Sequence, residues 1–156
     1  YPSRLHYVSE WIVQNTSTNL FEDLTPQLGG LRRSDSIHFM SSNAKLYKQL
    51  ASNPEFISEI KQTENKLNKL DRYFIPKAQV ADIEPMLDEG WIVAISTDIK
   101  GLDFVHMGIT VRVKGRIHLL HASSDAGKVV ISEQPLAEYL AANKRQSGIA
   151  VLKPKP

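Results

Sequence analysis

The sequence predicts an α+β fold, with helices gathered toward the N-terminus and an antiparallel sheet toward the C-terminus. Two observations carry this. Apolar residues recur at helical spacing over 3–15 and 43–70, and residues 104–113 alternate strictly before further strand-like segments. The 156 residues suffice for one domain with its own core. We read 1–156 as a single domain, about 1–75 mainly helical and about 90–156 sheet-forming.

In "SRLHYVSEWIVQN", Leu5, Val8, Trp11 and Ile12 form a helical stripe behind Ser3 as N-cap, predicting a helix to about Asn15. Pro26, Gly29 and Gly30 mark an irregular connection to a short strand at "SIHFM". Two helices follow over 43–70; Pro54 opens the second, and Phe56, Ile57, Ile60 and Leu67 are its apolar stripe. After "YFIPKAQV" a short helix or turn covers Ile83 to Leu87, and "DEG" ends it. Strands are expected at 91–97, 104–113, 116–122 and 128–132, then a helix at 135–143 opened by Pro135, then a strand at "GIAVLK".

Composition narrows function. Hydrophobic residues make up 42% and charged residues 23%, which excludes wholesale disorder. The net charge is +2, with basic residues scattered apart from "LRR" and "NKR", so no nucleic-acid partner is expected. Apolar runs such as "WIVAI" fall far short of the roughly 18–20 residues a membrane span needs. The absence of cysteine removes disulfides, thiolate metal sites and a thiol nucleophile from these residues. The chain opens at Tyr1 without a methionine or signal-like segment, and we expect a processed or truncated product.

Three of the five histidines lie in "VHMGITVRVKGRIHLLHASS". Val105, Met107, Ile109, Val111 and Val113 share one face of the first strand; Phe104, His106, Gly108, Thr110 and Arg112 share the other. A two-residue loop at Lys114–Gly115 pairs Arg112 with Ile117, Thr110 with Leu119, Gly108 with His121 and His106 with Ser123. His106 and His121 then lie diagonally on one face with room left by Gly108, close enough for one ring to orient the other. His118 falls on the aliphatic face beside Val111, and we read His118 and His38 as structural. The same split, with no Cys and no His-Glu-x-x-His helix, argues against a metal site, and no cofactor is implied. A Ser123 nucleophile, with His106 oriented by Asp98 or Asp103, is an alternative that lacks a nucleophile elbow.

The run "GWIVAISTDIKGLDFVHMGITVRVKGRIHLLHASSDAGKVVIS" resembles the C-terminal half of papain-like cell-wall peptidases of the NlpC type, through "HMGI" at His106 and "HAS" at His121. Trp91 departs from the Gly-Asp common there, which bears only on that turn. More specifically, "SRLHY" with "EWI", "YFIPK", "TDIKGLDFVHMG" and "HLLHASS" resemble the N-acetylmuramoyl-L-alanine amidase-like family of bacterial envelope proteins, over nearly the whole chain. The resemblance implies a papain-like antiparallel sheet with packed helices. It also implies a Cys-His-His amidohydrolase acting on peptidoglycan stem peptides in the periplasm or at the surface. In these roles His106 shuttles the proton and His121 orients it, and the cysteine begins a helix upstream of Tyr1. This chain then looks like the C-terminal portion, inactive by itself, its partner being the missing N-terminal segment. Arg4 and His6 fall in a family-like motif and become candidates for the substrate cleft, or else a solvated charge and a helix neighbour. Asp103 and Ser123 are further substrate-binding candidates; Asp98 and Asp103 also suit turns. The other reading from a different class is a non-catalytic cell-wall or peptide-binding module.

Overall fold

Two apolar runs, "IVAIS" and "GIAVL", are buried on both faces, so they form the centre of the sheet. The computed structural model describes all 156 residues. Its strands are β1 (Phe21–Asp23), β2 (Leu31–Arg33), β3 (Arg72–Pro76), β4 (Ile92–Thr97), β5 (Phe104–Val113), β6 (Arg116–Ser123), β7 (Lys128–Ile131) and β8 (Gln146–Pro154). They make one eight-stranded sheet in the order β2-β3-β8-β4-β5-β6-β7, with β1 also on β8. Every pairing is antiparallel.

On one face, Val93, Ile95, Ile117, Leu119, Ile149 and Val151 join a core with α5 (Val80–Ile83) and α6 (Leu136–Ala142). On the other, Ala94 and Ala150 lie side by side across β4 and β8. Their small side chains let α1 (Val8–Ser17) lie close, with Val8 and Ile12, like Met107, packed on them and on Phe104. The helices α2 (Phe39–Ser42), α3 (Lys48–Ser52) and α4 (Phe56–Leu67) enclose a second core of Tyr7, Ile37, Met40, Leu50, Ile60 and Leu67.

Three expectations are corrected. β1, β2 and β3 precede the main strands where none was expected: β1 and β2, with three residues each, are too short to display a period of two, and β3 has only five. "SIHFM" is not a strand; its last two residues open α2. The first helix starts at Val8, because its cap comes from far along the chain: Asp103 Oδ2 accepts the Ser9 N–H at 2.7 Å, and Ser3 caps nothing.

A helix of one turn has almost no internal hydrogen bonding, so α2 depends on outside partners. The His38 and Phe39 N–H groups donate to the Gly101 carbonyl at 3.0 and 2.9 Å. Met40 N–H donates to Tyr7 Oη at 2.8 Å, Ser41 N–H to Glu64 Oε1 at 3.0 Å, and Tyr7 Oη itself donates to Glu64 Oε1 at 2.7 Å. Burial, with Glu64 adding to it, pushes the Tyr7 hydroxyl up, so it stays a donor. Tyr7→Phe therefore strands the Met40 N–H and leaves the buried Glu64 carboxylate with the Ser41 N–H alone. We expect a loss of about 1–3 kcal/mol, read in urea as a lower midpoint at unchanged m-value.

Candidate active site

The hairpin that carries the histidines turns through Lys114 at φ 49° and Gly115 at φ 84°. Two successive positive φ values match the right-handed twist of the flanking strands, which fixes a two-residue loop. The register is the expected one, with Arg112 opposite Ile117 and Thr110 opposite Leu119. His106 and His121 consequently meet: His106 Nε2 lies 2.8 Å from His121 Nδ1, the rings edge to face at 89° with centroids 4.9 Å apart.

Two details of the face assignment differ from expectation. The β4–β5 register shifts between Ile95 and Ser96, so Ile95 pairs with His106 while Ser96 pairs with Phe104. This bulge sends Phe104 to the α1 side, away from the face of His106, and bulges of this kind re-aim side chains beside functional sites. The space at Gly108 is also taken, since a Cβ there would lie 2.5 Å from Leu119 Cδ1. Gly108 thus admits Leu119 of the core, not the imidazoles.

The pair lies in a cavity of about 350 Å³ whose wall includes Ile99, His106, His121, Ser123, Tyr139 and Gln146. His121 is buried, with the Tyr139 ring of α6 at 5.4 Å. Burial lowers the His106 pKa, the neighbouring His121 lowers it further, and burial alone lowers that of His121. Both rings are therefore neutral at pH 7, and their contact needs one donor and one acceptor. With His106 protonated at Nε2 and donating to His121 Nδ1, the His106 Nδ1 lone pair is free to accept a proton.

The remaining candidates part ways. Ser123 lines the cavity, but its hydroxyl accepts the Ala126 N–H at 3.1 Å and bonds to neither histidine. Asp103 is corrected from a substrate contact to a structural anchor: it is 1% exposed and its two oxygens accept the Ser9 and Phe104 N–H groups. Arg4 is exposed, and His6 packs on Tyr1 with Nε2 2.9 Å from the Tyr1 carbonyl; neither lines the histidine cavity. Asp98 lines a neighbouring cavity of about 490 Å³. His118 donates from Nδ1 to the Ser132 carbonyl at 2.7 Å, and His38 bonds Ser42 Oγ at 3.0 Å. No three His, Asp or Glu side chains converge as a metal site. Tyr139 and Gln146 were missed. The i, i+3, i+4 stripe of Leu136, Tyr139 and Leu140 marks the first, and a polar residue leading the apolar run of β8 marks the second.

Known structures give the class first. The fold superimposes on an N-acetylmuramoyl-L-alanine amidase from Bacteroides uniformis ATCC 8492 at 39% identity and TM-score 0.95, covering 100% of this chain and 66% of that one. The class is thus an amidase-like α+β protein. The chain belongs to the N-acetylmuramoyl-L-alanine amidase-like family, whose model matches residues 1–149. A Bacteroides fragilis protein described as a candidate xylanase is equally similar, at 38% identity and TM-score 0.92, covering 98% of this chain and 67% of that one. A protein from Legionella pneumophila str. Philadelphia 1 shares the fold at 19% identity and TM-score 0.68, covering 98% of this chain and 62% of that one. No curated protein matches the chain. The chain spans just under two thirds of the length of the Bacteroides uniformis structure.

The lowered pKa values have a definite sign. A histidine that resists protonation in the fold contributes stability that is intact above its unfolded value of about 6.5 and is lost as pH falls below it. Ring-nitrogen NMR should titrate both His106 and His121 with midpoints below about 6.5. His121→Ala should raise the His106 midpoint, because it removes a neighbouring imidazole and exposes the ring; an unchanged midpoint would refute this account.

Proposed function

We propose that the protein is a peptidoglycan amidohydrolase of papain-like, NlpC type, in which His106 is the proton shuttle, His121 its orienting partner, and the nucleophile a cysteine outside these 156 residues. The 2.8 Å contact between the half-buried His106 and the buried His121, both neutral, in an open cavity carries this reading. Membership of the amidase-like family and the name of the Bacteroides uniformis structure support the substrate class.

In this mechanism His106 Nδ1 takes the thiol proton and the thiolate attacks the amide carbonyl. The resulting imidazolium keeps its Nε2–H on His121 Nδ1, whose lone pair stabilises the positive charge. Collapse of the tetrahedral intermediate breaks the C–N bond, and His106 delivers the proton to the departing amine. His106 then deprotonates a water, which hydrolyses the thioester to a carboxylic acid and restores the thiol. Peptidoglycan as substrate assigns the protein to the bacterial envelope. No helix is long and apolar enough to cross a membrane.

The absence of cysteine from these residues favours a second reading, a non-catalytic stem-peptide-binding module. The two separate on the full-length protein incubated with muropeptides, with products identified by mass spectrometry. The amidase reading expects cleavage that iodoacetamide abolishes, a chelator spares, and His106→Ala lowers by about 10²–10⁴-fold. The 156-residue chain alone should not turn over. Binding without cleavage by the full-length protein would establish the module instead, and activity that survives His106→Ala but dies with the chelator would remove both.

A further inference from the structure

Gln146, the first residue of β8, lines the histidine cavity and is only 5% exposed. Its Oε1 is buried and accepts no hydrogen bond. None of the polar neighbours in the wall bonds to that oxygen, and four of them are engaged elsewhere. His106 and His121 bond each other, Ser123 Oγ accepts from Ala126, and Asn143 Oδ1 accepts from Arg145. Buried polar groups in folded proteins are nearly always paired, and an unpaired one costs folding free energy. A leucine here would carry no such cost, so folding alone does not account for the glutamine.

The position suggests what does. Ser147, the next residue, lines the second cavity, and Ile99 lines both cavities. Gln146 thus lines the first cavity directly beside a residue of the second, on the route of a substrate extended over both. Rotation about its last side-chain bond exchanges the oxygen with the NH₂ group, so it can offer the cavity either an acceptor or a donor. A peptide group, with one N–H and one C=O, is the complement of a primary amide.

We propose that Gln146 is a substrate-binding residue, hydrogen-bonding a peptide group of the stem peptide where the substrate crosses from the histidine cavity into the second cavity beside Ile99. This rests on the amidase reading above. The test uses the full-length protein and the probe N-acetylmuramoyl-L-alanyl-D-isoglutamine. Affinity is measured by calorimetry in a His106→Ala background, with and without Gln146→Leu. The side-chain amide resonances of Gln146 are followed by NMR in the same background without the second substitution.

Gln146→Leu should weaken probe binding about tenfold. It should leave Tm unchanged or raised, the opposite of what loss of a structural hydrogen bond would do. The Gln146 amide protons should shift on adding probe. If the leucine variant fails to fold, that resonance decides alone. An unmoved Gln146 resonance overturns the proposal, as does equal affinity in the folded leucine variant. Where cleavage by the otherwise unchanged protein persists alongside either result, this inference has failed and the amidase reading stands. A full-length protein that neither binds nor cleaves the probe removes both.

Discussion

A strand repeats every two residues, so the length of the Lys114–Gly115 loop decides which face of the sheet receives His121. One residue more in that loop would separate His121 from His106, and no side-chain adjustment could restore a 2.8 Å contact between them. The left-handed backbone at Lys114 is uncommon for a residue with a Cβ, and it is held because the ladder from Val113–Arg116 to Ile109–Leu120 is otherwise regular. The proton chemistry of the cavity is thus set by backbone conformation some distance along the hairpin.

The helical portion serves the same end by another route. The segment between β4 and β5 is short and has no regular structure, yet it supplies Ile99 to both cavities. Asp103 ties its end to α1, and the Gly101 carbonyl receives the N–H groups that open α2. Arg33 Nη1 donates to the Asp103 carbonyl at 2.6 Å, and Thr97 Oγ1 donates to the Arg145 carbonyl at 2.9 Å. The helices therefore act less as a separate unit than as a clamp on the loop beside the histidines.

This division explains what the sequence alone could disclose. Period-two alternation in β5 and β6 is long enough to reveal strand, face and register, so the meeting of His106 and His121 was legible from residue spacing. A bulge leaves no such trace: nothing in "STDIKGLDF" announces that Phe104 turns away from His106. Long-range capping is equally silent, because Asp103 and Ser9 are 94 residues apart and the acid looks like any loop aspartate. The three short strands escaped because they are defined by their partners, β3 and β8, more than by their own residues.

The burial that makes the site usable also works against the fold. Sequestering two imidazoles keeps them neutral, which preserves a basic lone pair on His106, but it charges the folded state with an acid sensitivity that exposed histidines would not impose. Gln146 adds a second cost of the same kind, a polar atom withdrawn from water without a partner. Both costs fall within one cavity wall, while the apolar cores on either side of the sheet contain no such residues among their members. The acid-sensitive imidazoles and the unpaired Gln146 oxygen therefore stand together in one pocket between two well-packed cores, where a ligand would meet a proton acceptor and a free hydrogen-bonding atom side by side.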